Sequence, residues 1–544
     1  MPGKKALIAA GVVVIIIVVV VVGVFLYKPK PVTKIVIGTT DKIVTLDPAN
    51  AYDYLSCNII MNVFDGLVRY KIGSTELEPG LAESWEISDD GKVYTFHLRQ
   101  GIKFHDGSEL TADVVKWSIE RVIKLGGDPS FLLSSVVDKV EVVDKYTVKI
   151  TLKYPFSAFL SVMAFTVAFP VSKESYPEDN FSDVAIGTGP FKVKEFKRDE
   201  YIILEKNPDY WDPERTPKVD YVVIKFYASA TALKQALEAG EIDIAFRHLN
   251  PIDIANYVKE NGTNFYIKEA VSPFIRYIVI NTKTVPKEVR QAIANAINRT
   301  AIIENILLGQ AIPLYSMVPV GMWSHIDAFK LKWGEGPNVT KVKELMAKLG
   351  YNETNKYKLE LWYTPTHYGD TEKDIATLIA EQLEDTGVFD VTIKYAEWAT
   401  FVDNIGKGVM PVFLLGWYPD YVDPDDYLFP FLHSSSSNYL GSFYNNSTVD
   451  DLLVQARTKT NTTERAKLYE QVQEILAEDC PYIPLFQGKQ YVVFKKTIGG
   501  VRLDPTQNFY YFTLYIKSET TATALFLALP IRELLLKLSS LLLL

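Results

Sequence analysis

Gly80-Leu81-Ala82-Glu83-Ser84-Trp85-Glu86-Ile87-Ser88-Asp89-Asp90-Gly91-Lys92 leads through Tyr94-Thr95-Phe96-His97-Leu98-Arg99 and Gly101-Ile102-Lys103-Phe104-His105-Asp106-Gly107 to Leu110-Thr111-Ala112-Asp113-Val114-Val115. Residues 85–88 and 93–98 alternate like two short strands. Asp89-Asp90-Gly91 between them predicts a hairpin turn, because Asp-Gly tolerates the positive φ that such turns need. His105-Asp106-Gly107 reads as a second turn ahead of a helix. Thr111 is placed to cap that helix, Asp113 sits in its positive first turn, and Val114, Val115, Ile119, Val122 and Ile123 make a buried face. Nothing in the stretch is catalytic by itself; it reads as a small α+β scaffold.

The same alternation extends in both directions. Residues 34–37 read as a buried strand leading to Leu46-Asp47-Pro48-Ala49, and Phe64-Asp65-Gly66-Leu67-Val68 ends the first helix. The glycines of Gly187-Thr188-Gly189-Pro190-Phe191 suit a tight turn in which the backbone approaches a neighbour closely. Ala232 to Ala239 reads as a helix stopped by Gly240. Helical patterns at 289–299, 343–351, 374–385 and 464–478 alternate with apolar strands near 359–363, 391–395 and 412–415, which predicts mixed α/β lobes. A chain of 544 residues exceeds one hydrophobic core and should divide into at least two.

These motifs, spread over residues 34–517, resemble the family 5 extracellular solute-binding proteins, which serve ATP-driven importers of peptides, oligosaccharides and nickel. The resemblance implies a two-lobed, type II periplasmic-binding-protein-like α/β fold with an extra subdomain. The first lobe would be built from 34–50, 168–270 and 486–517, the extra subdomain from 51–167 and the second lobe from 271–485. The crossovers near 270 and 485 would form the hinge. At Asn298, where the family more often has aspartate, the departure touches a local cap more than the ligand site.

Leu415-Gly416-Trp417-Tyr418-Pro419-Asp420-Tyr421-Val422-Asp423-Pro424-Asp425-Asp426 resembles the family's Gly-Trp-x-x-Asp-Tyr-x-Asp-Pro motif. In peptide-binding members the aspartate three after the tryptophan pairs with the ligand's α-ammonium, and here that position is Asp420. A carboxylate suits the task because charge-assisted hydrogen bonds are short and strong; the alternative is a turn or capping residue. Trp417 would flank the cleft, with Trp398, Tyr418 and Tyr421 as further candidates, each weighed against ordinary packing. Tyr52 and Tyr54, just after the opening motif, could line the other wall.

Catalytic constellations are missing from the sequence. The six histidines are scattered without metal-ligand spacing, and no Gly-x-Ser-x-Gly turn occurs. Asp425-Asp426 reads as an acidic pair on a solvated loop. The reading is thus a monomeric receptor, not an enzyme and without a cofactor, that delivers oligopeptides to permease subunits of an ABC importer. An oligosaccharide receptor of the same family is the first alternative, and a membrane-tethered glycosidase the second. A net charge of −9 and the lack of a basic block exclude nucleic acid as a partner.

Residues 6–27 are apolar and uncharged behind Lys4 and Lys5, long enough to cross a bilayer, which takes roughly 20 residues. Segment 1–27 is therefore expected to be an uncleaved transmembrane anchor at the cell membrane with the bulk outside. It also resembles short basic leaders that are cut just before the apolar run in some archaeal binding proteins. Lys28-Pro29-Lys30-Pro31 reads as a stiff spacer within a linker at 28–33. Asn-x-Ser/Thr triplets at Asn180, Asn261, Asn298, Asn338, Asn352, Asn445, Asn446 and Asn461 fit a glycosylated extracellular domain. Cys57 and Cys480 would be free to pair there or to remain buried thiols. The leucine-rich tail, 518–544, carries Pro530, Arg532, Glu533 and Lys537 and is a poor spanning helix.

Overall fold

The computed structural model describes residues 32–365, 367–369 and 371–517. The expected anchor and the apolar tail lie outside them. Among the described residues no helix is long and apolar enough to cross a membrane.

An 11-stranded mixed sheet runs through the molecule. Its strand order is Phe389–Tyr395, Tyr357–Tyr363, Val412–Trp417, Phe265–Ile280, Tyr482–Lys495, Ile244–Phe246, Lys34–Thr39, Tyr221–Phe226, Tyr201–Lys206 and Phe191–Lys197, with Ala311–Pro313 added on Tyr482–Lys495. The two long central strands belong to both halves. Phe265–Ile280 is buried continuously from Ile275 onward and only intermittently before that point. Between Val271, opposite Lys489, and Ile275, opposite Gln487, the register slips. Pro273 lies inside this bulge and cannot donate to the ladder; the Gln487 side chain instead donates to the Ser272 carbonyl at 2.8 Å.

Three large cores follow from this layout. One gathers residues from Ile275 to Phe486. A second is assembled from three separate stretches, Ile35 to Phe64, Phe169 to Phe246 and Val492 to Leu514. A third lies within Ala49 to Ala168 and takes in Tyr421 from afar. It contains a four-stranded antiparallel sheet ordered Ala82–Ile87, Val93–Leu98, Thr147–Leu152, Val137–Asp144. The expected hairpin turn is present, with Gly91 at φ 69°. Ala112–Leu125 is the expected helix, with Thr111 at its N-cap and Val115, Ile119 and Val122 buried. That helix also buries Arg121, which clamps Asp47 of the opening motif through bonds of 3.0 and 2.6 Å.

Local signals explain several boundaries. Gly187 and Gly189 press against the end of the helix Tyr54–Val63, where an added Cβ would meet the Val63 carbonyl group at 2.2 and 2.5 Å, as the expected close approach requires. The pattern at 289–299 is divided, into Lys287–Ala296 and Arg299–Asn305, because Asn298 takes a capping role and accepts from the Ala301 N–H at 3.0 Å. The possible disulfide does not form. Cys57 and Cys480 are free thiols, the first packed on the three-piece core and the second inside the other lobe's core. Burial pushes both thiols up to about 12.

Candidate functional site

The buried strand Val412–Trp417 delivers the chain to the loop singled out by sequence, which ends in the helix Asp425–Leu432. Two arginines from later helices fix this loop. Arg465 grips Asp423 with bonds of 2.9 and 2.7 Å. Arg457 grips Asp425 at 2.8 Å, and Tyr421 adds a hydroxyl donor to the same carboxylate at 2.8 Å. Asp425 and Asp426, expected on a solvated loop, are 0% and 1% exposed. Their position in a helical first turn favours negative charge, and Arg457 neutralises Asp425.

Asp420 and Asp426 are different. Asp426 accepts from the Trp417 indole N–H at 2.9 Å and from the Asp420 backbone N–H at 3.1 Å, while its other oxygen has no hydrogen-bond partner. Asp420 is 8% exposed and accepts from the Tyr52 hydroxyl at 2.6 Å. Among the described residues neither carboxylate has a cation within ion-pair distance. Burial raises Asp420 from the ordinary carboxylate range to about 7. Burial, and then the charge of Asp420, also raises Asp426 well above the ordinary carboxylate range. Two close carboxylates in a low-dielectric pocket cannot both ionise without a positive partner.

Tyr52, the donor to Asp420, sets its ring edge-on to Phe131 at 6.0 Å. Tyr421 does not face a ligand space. It is buried in the core of residues 49–168, with its ring edge-on to Phe156 at 6.1 Å. Its flanking residues bring it there, since the Val422 N–H donates to the Tyr70 hydroxyl at 3.2 Å.

Beside the loop lies a cavity of ≈ 670 Å³ whose wall includes Tyr54, Arg247 and Tyr418. Tyr418 stacks on Phe274 with ring centres 4.2 Å apart. Tyr54 donates to the Gln507 carbonyl at 2.7 Å and lies under the Arg247 guanidinium at 3.7 Å. Trp398 is one layer removed, stacked at 3.6 Å on His367, which lines the cavity. Tyr52, Trp417, Asp420 and Tyr421 are not part of its lining. The sequence reading missed Arg247, Arg276 and Lys489, the cavity's cations; each is a single basic residue without a motif, brought in by strands distant in sequence. Among the described residues no three His, Cys, Asp or Glu side chains gather as a metal site.

The profile of the bacterial extracellular solute-binding proteins, family 5, matches residues 76–439. The chain belongs to this family. It is a binding receptor of ABC-type import, two-lobed and mixed α/β, and not an enzyme. Among curated relatives, the probable D,D-dipeptide-binding periplasmic protein DdpA of Escherichia coli is 31% identical over 492 residues, covering 87% of this chain and 92% of that one. Heme-binding protein A of Haemophilus influenzae is 33% identical over 475 residues, 81% of this chain and 85% of its own. Among solved structures, the DppA protein of Helicobacter pylori, in complex with the peptide STSA, superposes with a TM-score of 0.76 at 29% identity, covering 89% of this chain and 98% of that one. In this family 5 receptor the Asp420 loop meets the core of residues 49–168 through the Tyr421 ring and meets Tyr52 through the Asp420 carboxylate.

Proposed function

We propose that the protein captures oligopeptides outside the cell and delivers them to the permease of an ABC importer. The observation that carries this reading is the Asp420–Asp426 pair, two buried carboxylates without a cation on the loop whose Tyr418 lines the large cavity. A peptide's α-ammonium supplies the missing charge and three donors, replacing the Tyr52 bond and satisfying the free Asp426 oxygen. The names of relatives support the same class: DdpA is a probable D,D-dipeptide binder, and the Helicobacter pylori structure holds a tetrapeptide. The lobes close around the ligand by rotation at the bulge near Ser272 and Gln487, where the shared strands lose their regular ladder. Residues 1–27 anchor the receptor at the outer face of the membrane, and the Asn-x-Ser/Thr triplets whose asparagines are exposed carry glycans.

Calorimetry with a free tripeptide and its N-acetylated form tests the assignment. The free peptide is expected to bind at least tenfold more tightly. Equal affinity for the two would remove the ammonium anchor, and a neutral oligosaccharide that binds unaffected by Asp420→Asn would replace the peptide reading.

A further inference from the structure

The two ends of the described chain meet on one turn of the fold. Thr33 donates to the Asp220 carboxylate from its N–H at 2.7 Å and from its hydroxyl at 2.8 Å. Two residues before Asp220, the Lys218 ammonium lies over the Tyr515 ring at 5.4 Å. Tyr515–Ile516 pairs with Ile498–Gly499, and the Lys517 N–H donates to the Thr497 carbonyl at 2.8 Å. The apolar run of residues 6–27 and the leucine-rich tail therefore leave from one pole of the lobe whose core holds Ile35 and Leu514.

This pole differs from an ordinary solvated surface. Val32, Tyr266, Tyr515 and Ile516 are exposed there. The chain's net charge is −9, yet Lys34, Lys218, Lys496 and Lys517 are exposed beside them and, among the described residues, have no carboxylate within ion-pair distance. Lys517 extends its ammonium over the Tyr266 ring at 5.0 Å, so each of the two tyrosines carries a lysine on its face. Tyrosine rings beside lysines, with a few aliphatic side chains between them, are the composition of a membrane–water interface. Each lysine held near an anionic leaflet strengthens attachment about fivefold. The reach also fits. Tyr27 ends the apolar run and Val32 opens the described chain, and a proline-rich spacer covers about 3.1 Å per residue, so Val32 stays within roughly 16 Å of the end of that run.

We propose that this pole is a membrane-docking face that lies against anionic lipid headgroups, with Tyr266, Tyr515 and the four lysines as its contacts. The inference rests on the anchor reading of residues 1–27, not on the peptide reading, and goes beyond it: the receptor is held in one orientation instead of swinging on a tether, and the leucine-rich tail is delivered to the bilayer that holds residues 1–27.

The test is lysine acetylation read by mass spectrometry on the full chain, in detergent micelles, in phosphatidylcholine vesicles and in phosphatidylglycerol vesicles, with flotation to isolate the vesicle-bound protein. Lys348 and Lys356 in the other lobe, which are also exposed, serve as internal standards. Relative to them, Lys218, Lys496 and Lys517 should react at least about threefold more slowly on phosphatidylglycerol than in micelles. Salt at about 1 M, which cuts the screening length to roughly 3 Å, should restore most of the rate. Lys496→Glu combined with Lys517→Glu should return Lys34 and Lys218 to their rates in micelles; if this variant does not fold, the wild-type rates decide. Protein that floats with both lipids while its pole lysines keep the micelle rate overturns the proposal and leaves the anchor in place. Slow reaction already in micelles overturns it in favour of the tail covering the pole, and equal protection on the two lipids overturns the anionic headgroup as the partner. Failure to float with either lipid overturns both the docking face and the anchor.

Discussion

Binding of a free peptide should expel a proton from the Asp420–Asp426 pair. Without ligand, burial holds Asp420 near 7 rather than at the ordinary 3.8, a gap worth on the order of 4 kcal/mol at 1.36 kcal/mol per pH unit. An ammonium at the pair favours the ionised carboxylate and brings that value down, so the proton leaves as the peptide enters. Affinity should then rise close to tenfold per pH unit from about pH 5 towards 7 and flatten above. Titrations at pH 5, 6 and 7, each in two buffers of different ionisation enthalpy, give the number of protons released from the dependence of the observed heat on the buffer. About one proton per peptide is expected at pH 5 to 6, and none for the N-acetylated peptide. Tight binding of the free peptide with no proton exchange across this range would refute the reasoning, because the pair would then not be the ammonium's partner.

Asp420→Asn should lower the affinity for free peptides by about ten- to a hundredfold. It should also raise the melting temperature at pH 8: a carboxyl raised in the folded state contributes stability below its unfolded value of 3.8, lost as pH climbs through about 7, and asparagine is free of that loss. Arg465→Met leaves Asp423 buried without its cation and should cost roughly 3–5 kcal/mol in urea unfolding; a change below 1 kcal/mol would show that water reaches the loop. Gly189→Ala forces a methyl against the Val63 carbonyl carbon at 2.5 Å and should destabilise by about 1–3 kcal/mol, read from thermal melts. Alkylation of denatured, unreduced protein should label both cysteines, whereas the folded protein should react slowly at pH 8; a single disulfide by mass would contradict the separate cores.

What could be read in the sequence was what neighbouring residues settle among themselves. The Asp89-Asp90-Gly91 turn, the Thr111 helix start and the Asn298 cap all depend on groups within a few residues. The burial of Asp425 and Asp426 was not legible, because their local composition looks solvated and the arginines that fix the loop arrive from 32 and 42 residues further on. Arg121 reaches Asp47 over 74 residues, and nothing in an amphipathic helix marks one arginine as a core residue. Aromatic residues near a motif were equally ambiguous. Tyr418 came to line the cavity while Tyr421, three positions on, entered another core, since loop geometry rather than residue type decides which way each ring turns.

The pairing of Val271 with Lys489 also sets the order in which the chain can assemble. Everything between leaves and returns at one place, and its core is complete by Phe486. A chain emerging from its N-terminus therefore owns all the partners of that half before its last strand is finished. The other half waits: Asn58 meets the Tyr511 hydroxyl across 453 residues, and Ile35 and Phe64 share a core with Phe509 and Leu514. Until those residues arrive, the first-made helix and strand have no complete interior to join. Such distant closure makes the last step slow and leaves apolar surface exposed to helper proteins meanwhile. For a protein that is exported, the half synthesised first is the half that stays pliable longest.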